Sequence, residues 1–153
     1  MKKNKAFSLI EMLVVLAIIS LILGLTAAYI FNYRAGSALS LCANKIAAVL
    51  NQARQLSITN QSEYKVVFDL GNNEFVVQDA LNNDADTRHK TGNSIIIEST
   101  TFTNDMVTFT ATGGLSGTSG SIFIKDNKEK FFTVKILNAT GRIKVLNFKD
   151  NGG

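Results

Sequence analysis

Proline is absent from the 153 residues, and cysteine and histidine each occur once. Without proline no amide is missing from a helix ladder, so a helical pattern is free to run unbroken. With Cys42 alone no intramolecular disulfide can form, and an extracytoplasmic domain must be held by its apolar core. Cys42 itself falls at helical spacing among apolar residues, which makes it a small buried residue in preference to a reactive thiol. His89 stands in a charged stretch without a nearby cysteine, whereas metal sites and nucleophile–base pairs need several convergent groups. Gly114-x-x-Gly117-x-x-Gly120 lacks the Lys-Ser/Thr ending of a phosphate loop and reads as a flexible turn. Asn82-Asn83-Asp84-Ala85-Asp86-Thr87 alternates oxygen ligands as some calcium loops do, but lacks the Gly and distal Glu of an EF-hand. The expectation is a protein with no catalytic residues, no cofactor and no resident metal, the Asp84–Asp86 loop being the one place where calcium stays open.

What the chain does have is concentrated at its start. Lys2, Lys3 and Lys5 precede Phe7-Ser8-Leu9-Ile10-Glu11, and an apolar run follows from Met12 to Phe31. About 20 such residues at 1.5 Å each suffice to cross a hydrocarbon core ~30 Å thick. The basic flank places the N-terminus of such a span in the cytoplasm and the rest of the chain outside. Glu11 is then anomalous, because a carboxylate inside a spanning helix costs about 2.5–3.5 kcal/mol on insertion scales, less near an interface. A secretory signal has a shorter apolar region followed by a small-residue cleavage site, which Ala27-Ala28-Tyr29 imitates only loosely. A plain single-pass anchor accounts for the length of the run and leaves Glu11 without a role.

The stretch resembles the N-terminus of type IV prepilins and type II secretion pseudopilins, in which a short basic leader is removed just before a Phe and a Glu follows four residues later. The resemblance implies that a prepilin peptidase cuts between Ala6 and Phe7 on the cytoplasmic side and methylates the new amine of Phe7. It further implies that Glu11 pairs with the Phe7 amine of a neighbouring subunit during assembly. That role is physically sensible, since a paired buried charge is far cheaper than a lone one. The family usually has Gly before the cut; Ala6 is small enough to be accepted, with slower processing expected. The implied organisation is a leader at 1–6, a transmembrane assembly segment at 7–31 and a periplasmic pilin-like domain at 32–153, anchored in the inner membrane. The implied partners are other pilin or pseudopilin subunits, the peptidase, and an inner-membrane assembly platform with its ATPase.

Past the membrane run the helical period continues. Leu39, Cys42, Ile46, Val49, Leu50, Ala53 and Leu56 follow i, i+3, i+4, i+7 spacing, so one helix is expected from about Phe7 to about Thr59, amphipathic in its second half. Gly24 and Gly36 each lower helix propensity by about 1 kcal/mol relative to Ala and are the natural places for bending. After Thr59 the period changes to two. Tyr64-Val66-Phe68-Leu70 alternates with polar neighbours, and Gly71-Asn72-Asn73 turns it towards Phe75-Val76-Val77. Further strands are expected at Ser94 to Glu98, Met106 to Thr110, Ser121 to Lys125, Lys130 to Leu137 and Arg142 to Phe148, with loops at Asp79 to Gly92 and Ala111 to Gly120. One long helix followed by seven strands predicts an α+β fold in which two small antiparallel sheets wrap the second half of the helix.

The C-terminal pattern is similar to the GspH, FimT and FimU minor subunits. It comprises Thr112-Gly113-Gly114, strands at Ile122-Phe123-Ile124 and Phe132-Thr133-Val134, then Asn138-Ala139-Thr140-Gly141-Arg142-Ile143. The final hairpin of those subunits carries a turn Gly followed by Arg and a strand. If Asn138 to Gly141 joins the last two strands with Leu137 opposite Arg142, then Lys135 faces Lys144 on the same side as Arg142. Like charges opposed across strands are destabilising, and a phosphate backbone relieves them. FimT-like subunits of some competence pili bind DNA near this hairpin, which makes Lys135, Arg142 and Lys144 the candidate DNA or partner contacts. Three solvated side chains are the plain alternative, since aromatic residues that stack on bases are not interleaved.

Charge is also unevenly spread. Removal of Lys2, Lys3 and Lys5 takes the formal charge from +4 to +1, new amine apart. Acids predominate from Glu63 to Asp105 and bases from Lys125 onward, a polarity suited to head-to-tail contacts between subunits. The resemblance implies a structural subunit of a secretion pseudopilus (GspH type), with a minor subunit of a type IV or competence pilus as the alternative.

Overall fold

The computed structural model describes residues 9–138 and 140–148, with the side chains of 25–37 outside the description. Helix α1 runs Leu9–Thr59, and the chain divides into two units, Met1–Ala35 and Gly36–Gly153.

In the second unit the apolar series of α1 becomes a buried stripe. Leu39, Cys42, Ala43, Ile46, Val49, Leu50 and Ala53 are buried, and Ser57 continues the stripe with its hydroxyl donating to the Arg54 carbonyl. The helix ends where Gln61 enters the left-handed region at φ 48. The Gln61 amide reaches the Ile58 carbonyl and the Ser62 amide the Ser57 carbonyl, the paired bonds of a Schellman ending.

Among the described residues eight strands follow: β1 Tyr64–Asp69, β2 Glu74–Asp79, β3 His89–Lys90, β4 Ile95–Thr100, β5 Met106–Phe109, β6 Gly120–Asp126, β7 Phe131–Leu137 and β8 Arg142–Leu146. They form two four-stranded sheets, ordered β3-β2-β1-β5 and β4-β6-β7-β8, in which every pairing is antiparallel. Alternation along each strand sends one side chain in two to a common core. Val66, Phe68, Phe75, Val77, Val107 and Phe109 come from the first sheet, and Ile97, Ile122, Ile124, Val134 and Ile136 from the second; all are buried together with the stripe of α1. This is an α+β, pilin-like arrangement of one long helix and antiparallel sheets.

The sheets are stitched at the first hairpin. Asn73, with φ 54, accepts the Ile97 amide at its Oδ1 (2.8 Å), and its carbonyl accepts the Thr91 amide. Because β4 is the edge strand of its sheet, the Ile97 amide faces away from β6 as the Ile95 amide does, and the turn of the first hairpin supplies its acceptor.

Strand bounds shift by a residue or two, β4 running on to Thr100 where Glu98 was expected, and two departures have a visible cause. The segment read as a loop from Asp79 to Gly92 contains β3, a two-residue strand whose Lys90 lies opposite Glu74 and bonds it at 2.6 Å. The last strand stops at Leu146, two residues early. The chain bends there, and the Phe148 carbonyl accepts the Thr133 hydroxyl at 2.7 Å in place of a ladder bond.

Candidate functional site

Glu11 lies near the start of the described part of α1. Leu9, Ile10, Met12 and Leu13 around it are exposed, as are the other large apolar side chains of 9–24. A helix apolar on every side finds its partners in lipid or in other helices. Ala6 and Phe7 lie outside the described residues. Among the described residues no helix is long and apolar enough to cross a membrane; the run expected to span extends to Phe31, and its side chains from 25 onward lie outside the description.

The basic residues of the final hairpin are brought together. Lys135 is opposite Lys144, and Leu137 opposite Arg142. With Val134, Ile136, Ile143 and Val145 turned to the core, Lys135, Arg142 and Lys144 share the outer face of the sheet; Arg142 and Lys144 are exposed and Lys135 half-buried. Elsewhere on that face Lys125 sits between Glu98 (3.6 Å) and Glu129 (3.2 Å), 5.9 Å from the Phe131 ring centre. Glu129 is the first cause of the raised pKa of Lys125.

The turn beneath Arg142 is fixed by a residue that periodicity did not single out. Arg54 of α1 donates from Nε to the Gly113 carbonyl at 2.9 Å. Gly141 packs on the same carbonyl so closely that a Cβ added to it would stand 2.4 Å from the Gly113 oxygen. Both glycines have positive φ, +79 at Gly113 and +58 at Gly141. The helix therefore clamps the β5–β6 loop, and the β7–β8 turn sits on the clamp. The sequence signal was one arginine beside Ala53 on a face otherwise destined for burial.

The acidic loop is occupied with itself. Asp79 Oδ1 accepts the Leu81 and Asn83 amides, Asp84 pairs with Arg88 at 3.2 Å, and Asp86 accepts from the Thr87 amide and the Gln52 side chain and meets His89 Nε2 at 3.2 Å. These bonds hold the carboxyls of Asp79 and Asp86 below the usual range, the Asn83 amide being the first cause for Asp79 and the Thr87 amide for Asp86. His89 also packs against Phe75, ring centres 5.5 Å apart. No group of three His, Cys, Asp or Glu side chains among the described residues is placed to hold a metal ion. Cys42 is buried, and burial pushes its thiol up to about 11.

Three comparisons bear on this arrangement. Residues 1–27 match the family model of the prokaryotic N-terminal methylation motif. No curated protein matches the chain. Among solved structures, the type IV minor pilin FimU of Pseudomonas aeruginosa superposes with a TM-score of 0.61 at 20% identity, over 76% of this chain and 92% of that one. The minor pseudopilin EpsH from the Type 2 Secretion System of Vibrio cholerae gives 0.58 at 12% identity, over 71% and 96%. The chain thus joins an N-terminal methylation motif to a fold shared with FimU and EpsH.

Proposed function

We propose that the protein is a non-catalytic minor subunit of a pilus-like filament, specifically a GspH-type pseudopilin of a type II secretion system. The observation that carries this reading is the methylation motif at 1–27 followed by a pilin-like domain. The chain enters the inner membrane through residues 7–31, with its N-terminus in the cytoplasm and 32–153 in the periplasm. A prepilin peptidase cuts between Ala6 and Phe7 and methylates Phe7. Glu11 then takes the Phe7 amine of a neighbouring subunit as its partner, which removes the penalty of an unpaired carboxylate in the bilayer. An assembly platform moves the subunit into the filament, where helices bundle at the axis and β-domains form the surface. Chemistry is needed only for processing and extrusion, and other proteins supply it.

Two experiments test this. Glu11→Val should insert in the membrane as well as the parent or better, yet fail to enter filaments; normal incorporation refutes the role given to Glu11. A deletion strain compared with its parent for folded exoproteins and sheared surface pili separates the settings. Loss of exoproteins with pili intact supports the pseudopilus, and loss of pili with secretion intact supports a minor type IV pilus subunit.

The pilus reading draws on the opposition of Lys135 and Lys144 with Arg142 beside them, a cationic strip suited to a phosphate backbone. In that setting an Arg142→Ala, Lys144→Ala double variant should lose salt-dependent DNA affinity; no binding at any salt concentration ends the DNA reading.

A further inference from the structure

The turn from β4 to β5 and the loop from β5 to β6 face each other across a cleft of about 240 Å³. Phe102, Met106 and Leu115 give it an apolar floor, and its remaining lining is neutral and polar; no charged side chain borders it among the described residues. The volume lies just below the range of about 300–1,000 Å³ typical of small-molecule sites, which suits a single ring.

Both walls are braced. Phe102 is seated on Gly120, where an added Cβ would stand 2.6 Å from its ring and 2.7 Å from Thr101 Oγ1. The Thr101 hydroxyl accepts the Ser121 amide at 2.8 Å, which ties this corner to β6. Asn104 and Asp105 then both adopt the left-handed region, at φ 56 and 52, a conformation uphill for residues other than glycine. It is held by the Thr100 hydroxyl on Asp105 Oδ1 at 2.6 Å, the Asp105 amide on the Phe102 carbonyl and the Met106 amide on the Thr103 carbonyl. Across the cleft the Ser116 amide donates to the Thr108 carbonyl at 2.8 Å, and the chain turns at Gly117 with φ +127.

The polar side chains here fall into two groups. Thr100, Thr101 and Ser119 are engaged, on Asp105, on Ser121 and on the Asn138 amide. Thr103, Asn104, Thr108, Ser116 and Thr118 line the cleft and make no side-chain hydrogen bond among the described residues. They offer four hydroxyls and one carboxamide, groups that both donate and accept. A phosphate or carboxylate ligand finds no cation at this lining, and an ammonium ligand no anion. An extended peptide needs a free strand edge, yet the Met106 amide and the Thr108 carbonyl of β5 are already bonded to Thr103 and Ser116. A pyranose ring, with C–H groups on its faces and neutral hydroxyls around its edge, matches floor and rim together.

We propose that this cleft binds one neutral sugar ring, its C–H face on Phe102, Met106 and Leu115 and its hydroxyls on Asn104, Ser116 and the neighbouring threonines. The site goes beyond the reading of the chain as a filament subunit and does not depend on it. It gives the surface of the β-domain a contact for glycans, separate from the basic strip of Lys135, Arg142 and Lys144.

Saturation-transfer NMR on the full-length chain tests the site, in a zwitterionic detergent so that no headgroup is itself a sugar. The probes are methyl β-glucoside, methyl β-galactoside and N-acetylglucosamine, with a neutral threonine tripeptide alongside. The proposal expects transfer to the ring protons of at least one sugar, with a dissociation constant on the order of 1 mM, the scale of so small a ligand. An Asn104→Gly, Ser116→Ala double variant keeps the left-handed backbone and removes no side-chain hydrogen bond of the fold. It should melt with the parent and lose the transfer severalfold; Thr118→Val, a separate variant of the lining, should weaken it as well. No transfer to any sugar overturns the proposal, and so does transfer that both variants leave unchanged, which places the sugar elsewhere. Transfer to the tripeptide alone, lost in the double variant, assigns the cleft to peptide and overturns it too. Processing at Phe7 and assembly through Glu11 are unaffected by any of these results.

Discussion

Gly141→Ala is the substitution for which the fold makes the sharpest demand. Gly141 has φ +58, and an added Cβ would lie 2.4 Å from the Gly113 carbonyl oxygen, 3.1 Å from Arg54 Nε and 3.3 Å from Arg54 Cδ. Placing alanine in the left-handed region costs about 1–2 kcal/mol. Relieving the overlap requires one backbone segment to retreat from another, a strain of about 1–3 kcal/mol by analogy with overpacked cores. The retreat also stretches the bond from Arg54 to Gly113, so a middle estimate of about 3 kcal/mol is reasonable. In a folded unit of this size that lowers the melting temperature by about 10–20 °C. The assay is thermal unfolding of the full-length chain in detergent, followed by circular dichroism. Gly92→Ala is the control, since its new Cβ meets only Ile95 Cδ1 at an ordinary 3.9 Å and its φ is not positive; it should melt close to the parent. A Gly141→Ala protein that melts with the control refutes the clamp formed by Arg54, Gly113 and Gly141, and with it the account of what holds Arg142 and Lys144 in place.

Asn73→Ala removes the acceptor of the Ile97 amide and puts alanine at φ 54. It should cost about 2–4 kcal/mol by denaturant titration, with Asn73→Gly recovering only the backbone part. Asp69, Asp79 and Asp86 have folded-state pKa values held low, first by the Asn72 side chain, the Asn83 amide and the Thr87 amide respectively. Their contribution is present above the unfolded carboxylate value near 3.9 and lost as pH falls through the lowered folded values; the groups are exposed and solvent-screened, so the melting temperature should fall modestly on the acid side, and by less in Asp79→Asn. Cys42, buried with its thiol raised to about 11, should resist alkylation at neutral pH until denaturant is added; rapid labelling of the native chain would contradict its place in the core.

The parts of the fold legible in the sequence were those governed by local period. The stripe from Leu39 to Ala53 follows from 3.6-residue spacing, and the opposition of Lys135 and Lys144 follows from a four-residue connection that Gly141 can close. The division of strands between sheets was not legible, because β4 crosses to join β6 while β5 returns to β1, a choice made by burial against the helix. Strand β3 was missed because two residues carry no alternation; its place is set by Glu74 meeting Lys90. Leu146 ends β8 because Thr133 captures the Phe148 carbonyl, a contact across the sheet that no local pattern announces. Among the site residues, Glu11 stood out because a carboxylate is expensive in an apolar run. Arg54 did not, since a helix arginine acquires meaning only from its neighbours in space.

The central claim is that this chain is made as a prepilin and matured for assembly. The most direct test is the intact mass and N-terminal sequence of the protein recovered from the membranes of cells that express it with its own peptidase. The account predicts a chain that begins at Phe7 and carries one N-methyl group, with the same product from Glu11→Val. A mature chain that begins at Met1, or one cut after Ala28 as a secretory signal would be, contradicts it.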